Sequence, residues 1–159
     1  MFSYEYWMEK ALILARKSYE IGEIPVGCLV VKDDKIIGRG YNLTEGKKVI
    51  NHAEILAITS ANDYLNNWRL LDCNLYVTLE PCMMCVGAIN NSRLKRVVYG
   101  AKNNNFGAIQ NLNSKIQVVS GILEKECSKI LQDFFKSIRK LKQQNSKCQS
   151  KTIDIFENK

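Results

Sequence analysis

The chain has 159 residues and a mass of 18.2 kDa, a size that suits one domain burying roughly 70% of the surface its unfolded form exposes. With 46% hydrophobic and 25% charged residues it has ordinary globular values, and no apolar run approaches the roughly 18 residues of a membrane span. The net charge of +7, from 23 basic and 16 acidic residues, suits a polyanionic partner, although a lysine-rich solvated surface accounts for it equally well.

Ser3 is placed to cap a first helix, along which Trp7, Met8, Ala11, Leu12, Ala15 and Tyr19 recur on one core-facing stripe. Glu5 and Glu9 sit among these residues, and no basic leader precedes them, so no signal peptide is expected. The segments "VGCLVVK" and "KIIGRGY", residues 26–32 and 35–41, flank Asp33-Asp34 and predict a hairpin. "HAEILAITSANDYL" predicts a helix from about 53 to 65 and "NLYVTL" a strand over 74–79. Pro81 then opens a helix through about 91. Strands follow near 96–100 and 115–119, and "ILEKECSKILQDFFKSIRKLK" predicts a long amphipathic helix from 122 to about 143. Residues 144–159 are polar enough to fray, so the domain is expected over 1–143 with a flexible tail after it. Alternating helices and strands imply crossovers and parallel pairing, whereas the opening hairpin is antiparallel. The expected class is α/β: one mixed sheet of about five strands with helices on both faces.

Six cysteines scattered through a chain of cytoplasmic character read as thiols and ligands rather than disulfides. Two of them, Cys82 and Cys85 in "TLEPCMMCVGA", stand three apart at a helix entrance, so both sulfurs can aim at one point. The positive end of the helix favours their thiolates. The single histidine, His52, starts another helix with Glu54 two residues on, and Ala53 between them adds no bulk. Inside a helix, residues two apart diverge by about 200°. Both can therefore face one site only if His52 lies outside regular helical geometry. One imidazole and two thiolates make three ligands, the number that leaves a catalytic zinc one position for water. A structural zinc needs a fourth ligand, and a dithiol redox pair needs none. In the catalytic reading, Glu54 is the proton shuttle beside the metal.

The combination His52-x-Glu54 and Pro81-Cys82-x-x-Cys85 resembles the signature of zinc-dependent nucleobase deaminases. "YWMEKAL", "EIPVGCLVV", "HAEILAI" and "NWRLLDCNLYVTLEPCMMCVGAINNSRLKRVVYGA" extend the likeness to bacterial tRNA adenosine deaminases over about residues 4–140. That resemblance implies a three-layer α/β/α cytidine-deaminase-like fold and one Zn²⁺ per subunit held by His52, Cys82 and Cys85. It implies hydrolysis of adenosine to inosine at the anticodon wobble position of tRNA, by a cytoplasmic homodimer. Asn42 would hydrogen-bond the flipped purine, with Val26 and Ala53 in the base site. Asn103, Phe135, Lys136, Arg139 and Lys140 would contact the anticodon stem-loop. Two other readings stand beside it: a free-base or nucleotide deaminase of the same superfamily, and a non-catalytic zinc-binding partner subunit.

Three segments depart from the family pattern. "VIN", residues 49–51, replaces a Pro-Thr-Ala expected to wall the bound base. Asn103 occupies a position that is usually acidic and expected near the substrate ribose. The stretch 107–116 is several residues shorter than usual.

Overall fold

A computed structural model describes residues 2–44 and 48–157, with side chains through residue 144. The elements in chain order are α1 (Tyr4–Glu20), β1 (Gly27–Lys32), β2 (Lys35–Tyr41), α2 (Ala53–Leu65), β3 (Asn74–Leu79), α3 (Met83–Ser92), β4 (Arg96–Ala101), β5 (Gln117–Val119) and α4 (Glu124–Glu157), with one 3-10 turn at Ile109–Asn111. Ser3 caps α1, its hydroxyl accepting from the Tyr6 N–H. Asp33 and Asp34 both take positive φ, the backbone that a two-residue hairpin turn demands.

The strands form one sheet in the order β2-β1-β3-β4-β5. β1 pairs antiparallel with β2 and β3, whereas β3–β4 and β4–β5 are parallel. The central strands bury both faces, so alternate side chains serve two different cores. Cys28, Val30, Leu75, Val77, Val97 and Tyr99 meet α2 and α3 through Ala53, Ala57, Ile58, Ala61 and Ile89. Leu29, Val31, Tyr76 and Val98 meet α1 and α4 through Trp7, Met8, Ala11, Leu12 and Cys127. The result is the three-layer α/β/α fold expected. Among the described residues, no helix is long and apolar enough to cross a membrane.

The seating of α2 on β2 sets where the site forms. Gly38 and Gly40 point toward the helix, and a Cβ on either would be driven into the carbonyl oxygen of Ala57 or Ala53. With alanines opposite glycines, the helix lies directly on the strand backbone, which brings its first residues close to the sheet end. Gly40→Ala is expected to cost about 1–3 kcal/mol through overpacking. Because α2 would be lifted at its first turn, turnover should fall along with the denaturation midpoint; urea melts and rates measured together check this.

Two boundaries and one buried face differ from expectation. β5 is only three residues, a short edge strand whose first two residues are exposed. On α1, Leu14 and Ser18 are buried while Tyr19 is only half-buried, its ring edge-on to Phe134. The last helix continues to Glu157 rather than ending near 143. No glycine or proline follows Gly121, so nothing in the backbone chemistry interrupts the hydrogen-bond ladder.

Candidate active site

The two helix starts carry the chemistry. His52 is the N-cap of α2 with φ −72° and ψ 150°, and Cys82 is the N-cap of α3 with φ −78° and ψ 173°. Extended backbone at His52 resolves the geometric problem of a histidine two residues from Glu54: the imidazole leaves the helix before the screw begins. Neither side chain closes a capping hydrogen bond, so both are available elsewhere. Cys85, one turn into α3, is fully buried beneath them.

Nδ1 of His52 lies 3.6 Å from both Cys82 Sγ and Cys85 Sγ. Zinc–sulfur and zinc–nitrogen bonds of about 2.3 and 2.0–2.1 Å at a tetrahedral angle put N and S about 3.6 Å apart. The three donors therefore stand at the separation a tetrahedral ion imposes. All three ligand atoms lie within 4.8 Å of one another, and among the described residues no other histidine, cysteine or acidic group joins them. A fourth protein ligand, which a closed structural site requires, is missing from that set.

Glu54 is 4% exposed in the first turn of α2. Its carboxyl group interacts electrostatically with Cys85 and His52, so it stands against the cluster. Burial pushes its pKa up to about 7. A carboxyl balanced near neutral pH can both accept and return a proton. Cys82, hydrogen-bonded by Cys85 and then by His52, is pulled down to about 3. Cys85 is raised by the same hydrogen bond and by burial, and His52 is raised by its bond to Cys82. The cluster is thus arranged to hold thiolate charge, which a cation would neutralise.

These groups open on a cavity of about 580 Å³, within the range of small-ligand sites. It gathers the ends of four strands: Val26 before β1, Asn42 after β2, Leu79 and Glu80 at the end of β3, and residues 102–106 after β4. The cavity lies off the carboxyl ends of the parallel strands β3 and β4, the side on which open α/β sheets put their ligands. Val26 is buried in the wall, and Asn42 is 7% exposed. Asn42 Oδ1 accepts from the Ala53 N–H at 2.9 Å, so the donor left for a ligand is its Nδ2. Ala53 enters the site only through that N–H; its side chain is wholly buried and does not line the cavity.

Phe135 lines the cavity from α4, whereas Lys136, Arg139 and Lys140 are exposed on the same helix and do not reach the lining. Asn103 lines it too, with its Oδ1 committed to the Phe106 N–H at 3.1 Å. Val49 and Ile50 are 81% and 52% exposed and absent from the cavity wall. Residues 49–51, expected near the bound base, thus lie outside the cavity lining. The chain closes on itself first, through the Leu43 N–H to Asn51 O and the His52 N–H to Ile50 O, which turns those side chains outward.

The sequence reading missed Glu80. It is 9% exposed, and its two carboxylate oxygens accept from the N–H groups of Asn103 at 3.2 Å and Ile109 at 3.4 Å. A Cβ at Gly107 would strike it. Gly107 also bridges Cys82, and the Ala108 N–H donates to Pro81 O at 3.0 Å. The loop after β4 is thereby fastened to the segment that carries Pro81 and Cys82. A glutamate directly before Pro-Cys-x-x-Cys was the available signal, but its partners are backbone groups that no side chain announces.

A mixed α/β/α sheet with this cluster at the starts of two helices on one face is the architecture of a hydrolytic deaminase. The MafB19-like deaminase family matches residues 2–139. A tRNA-specific adenosine deaminase of Streptococcus pyogenes is 46% identical over 147 residues, covering 86% of each chain. The Bacillus subtilis protein of the same name is 44% identical over 148 residues, covering 87% of this chain and 92% of its own. A solved structure from work on A-to-I editing by tRNA:A34 deaminases superposes with a TM-score of 0.74 at 39% identity, covering 79% of this chain and 99% of that one. This chain belongs to the deaminase family, and it is an enzyme.

Proposed function

We propose that this protein deaminates adenosine to inosine at the anticodon wobble position of tRNA, with one zinc ion held by His52, Cys82 and Cys85. The observation that carries the chemistry is the 3.6 Å spacing of Nδ1 to both sulfurs with buried Glu54 beside it. The substrate follows from relatives at 44–46% identity over most of the chain.

When bound, zinc supplies the Lewis acidity that lowers the pKa of water to about 7. Asn42 Nδ2 and the Val26 side chain hold the purine with its amino-bearing carbon toward Glu54. The carboxylate accepts a proton from the attacking water as oxygen bonds to that carbon, and passes the proton to the ring nitrogen. It then takes the proton of the new hydroxyl and gives it to the amino group, which leaves as ammonia while the carbonyl forms. Adenosine and water become inosine and ammonia, with the carboxylate restored.

The reading extends to a cytoplasmic homodimer that binds the anticodon stem-loop. Exposed Met83 and Met84, next to Cys82, are the kind of apolar surface a second subunit covers. On α4, exposed Lys136, Arg139 and Lys140 follow the cavity-lining Phe135, which suits a phosphate backbone leaving the site. Incubating a tRNA pool with the protein and sequencing it should show A read as G at wobble positions. Ammonia released from guanine, cytosine or cytidine, with tRNA unchanged, would instead establish a free-base or nucleotide deaminase.

A further inference from the structure

The turn after β4 holds an aromatic ring out into solvent at the cavity mouth. Phe106 lines the cavity and is nevertheless 73% exposed. An exposed phenyl ring usually escapes water by folding back onto the protein, and here it does not. The Phe106 N–H is held by Asn103 Oδ1 at 3.1 Å, the Gly107 N–H by Asn103 O at 2.8 Å, and the Asn103 N–H by buried Glu80 at 3.2 Å. Gly107 admits no side chain, because Glu80 and the Asn103 carbonyl occupy the space. The backbone of the turn is thus held at three N–H groups, with the ring at the cavity mouth.

We propose that Phe106 is a stacking platform for the nucleobase next to the one in the cavity. This rests on the reading above, that the reacting base belongs to a single-stranded RNA loop. The donors and carboxylate at the cavity floor serve one base, so the strand on either side must leave across the rim. That rim carries Lys102 and Asn104, which suit phosphate and sugar, and Phe106, which suits a base face. Stacking tolerates any base, so the platform would position the loop without restricting its sequence.

The test uses the zinc-loaded enzyme and an anticodon stem-loop RNA with one reactive adenosine. Phe106→Ala should raise KM about 5- to 100-fold, the range for loss of one base–aromatic stack, with kcat at saturating RNA nearly unchanged. Phe106→Tyr or Phe106→Trp should restore KM, and Phe106→Leu should not. Stem-loops with an abasic nucleotide on the 5′ or 3′ side of the adenosine complete a double-mutant cycle. On one of them the penalty of Phe106→Ala should vanish, which identifies the stacked neighbour. A penalty that persists on both, or a KM equal to wild type, overturns the platform. So does a change in oligomeric state for Phe106→Ala by sedimentation, which would make the ring a protein contact. A wild-type enzyme that leaves the stem-loop adenosine intact overturns the substrate reading itself, and the platform with it.

Discussion

Glu54→Gln is expected to lose about 10³- to 10⁴-fold in turnover, the range for removing a positioned general acid–base group, while keeping its zinc and its fold. Both proton transfers in the proposed reaction pass through this one carboxyl group. Glu80, the other carboxylate lining the cavity, is committed to the N–H groups of Asn103 and Ile109. The same substitution should make the metal-stripped protein more stable at alkaline pH. Burial raises the Glu54 pKa from 4.5 to about 7. Between those values the folded state binds more protons than the unfolded one, so stability falls as pH rises through that window. A neutral glutamine removes the penalty, a gain on the order of 3 kcal/mol at pH 8 that should vanish below pH 4. Denaturant melts of chelator-treated protein at the two pH values, beside rates of the loaded enzyme, check both halves. Zinc lost from Glu54→Gln would instead make the carboxyl a ligand and the hydrolytic account untenable.

Cys82→Ser and Cys85→Ser should each lose metal and activity together, leaving less than about one-tenth of the zinc content and no turnover above background. The physical reason is that a hydroxyl replaces a thiolate in a set with no spare donor. A ligand that binds only the folded state also stabilises it by mass action. Chelation should therefore lower the melting temperature of the wild type and leave both variants unmoved. Acid should strip the wild type as well, because thiolates and imidazole must be deprotonated to bind. Elemental analysis across a pH series and paired melts decide this. Full zinc retention in either variant would mean that the cation sits elsewhere.

Much of the site was readable before the fold because its geometry is local. A cysteine pair at i and i+3 behind a proline shares a helix start wherever that helix goes, and His52 and Glu54 bracket one residue at another helix start. Helix α2 and strand β3 also fall where periodicity places them, over Ala53–Leu65 and Asn74–Leu79. The end of α4 was less legible, because polar composition argues for fraying while the absence of a helix breaker lets the ladder run on. The outward direction of Val49 and Ile50 was not legible, because it is set by two backbone hydrogen bonds of the turn.

Residue types and spacings alone marked Cys82 with Cys85, and His52 with Glu54, as candidate pairs, and gave the alternation of strands and helices, since each depends on neighbours within one or two helical turns. Tertiary structure decided the rest. It brought residue 52 to within 3.6 Å of sulfurs 30 and 33 positions away by laying α2 on glycines of β2. It also tied the loop after β4 to Glu80 through main-chain N–H groups. Every residue but proline carries such a donor, so a bond made to one leaves no trace in the order of the amino acids.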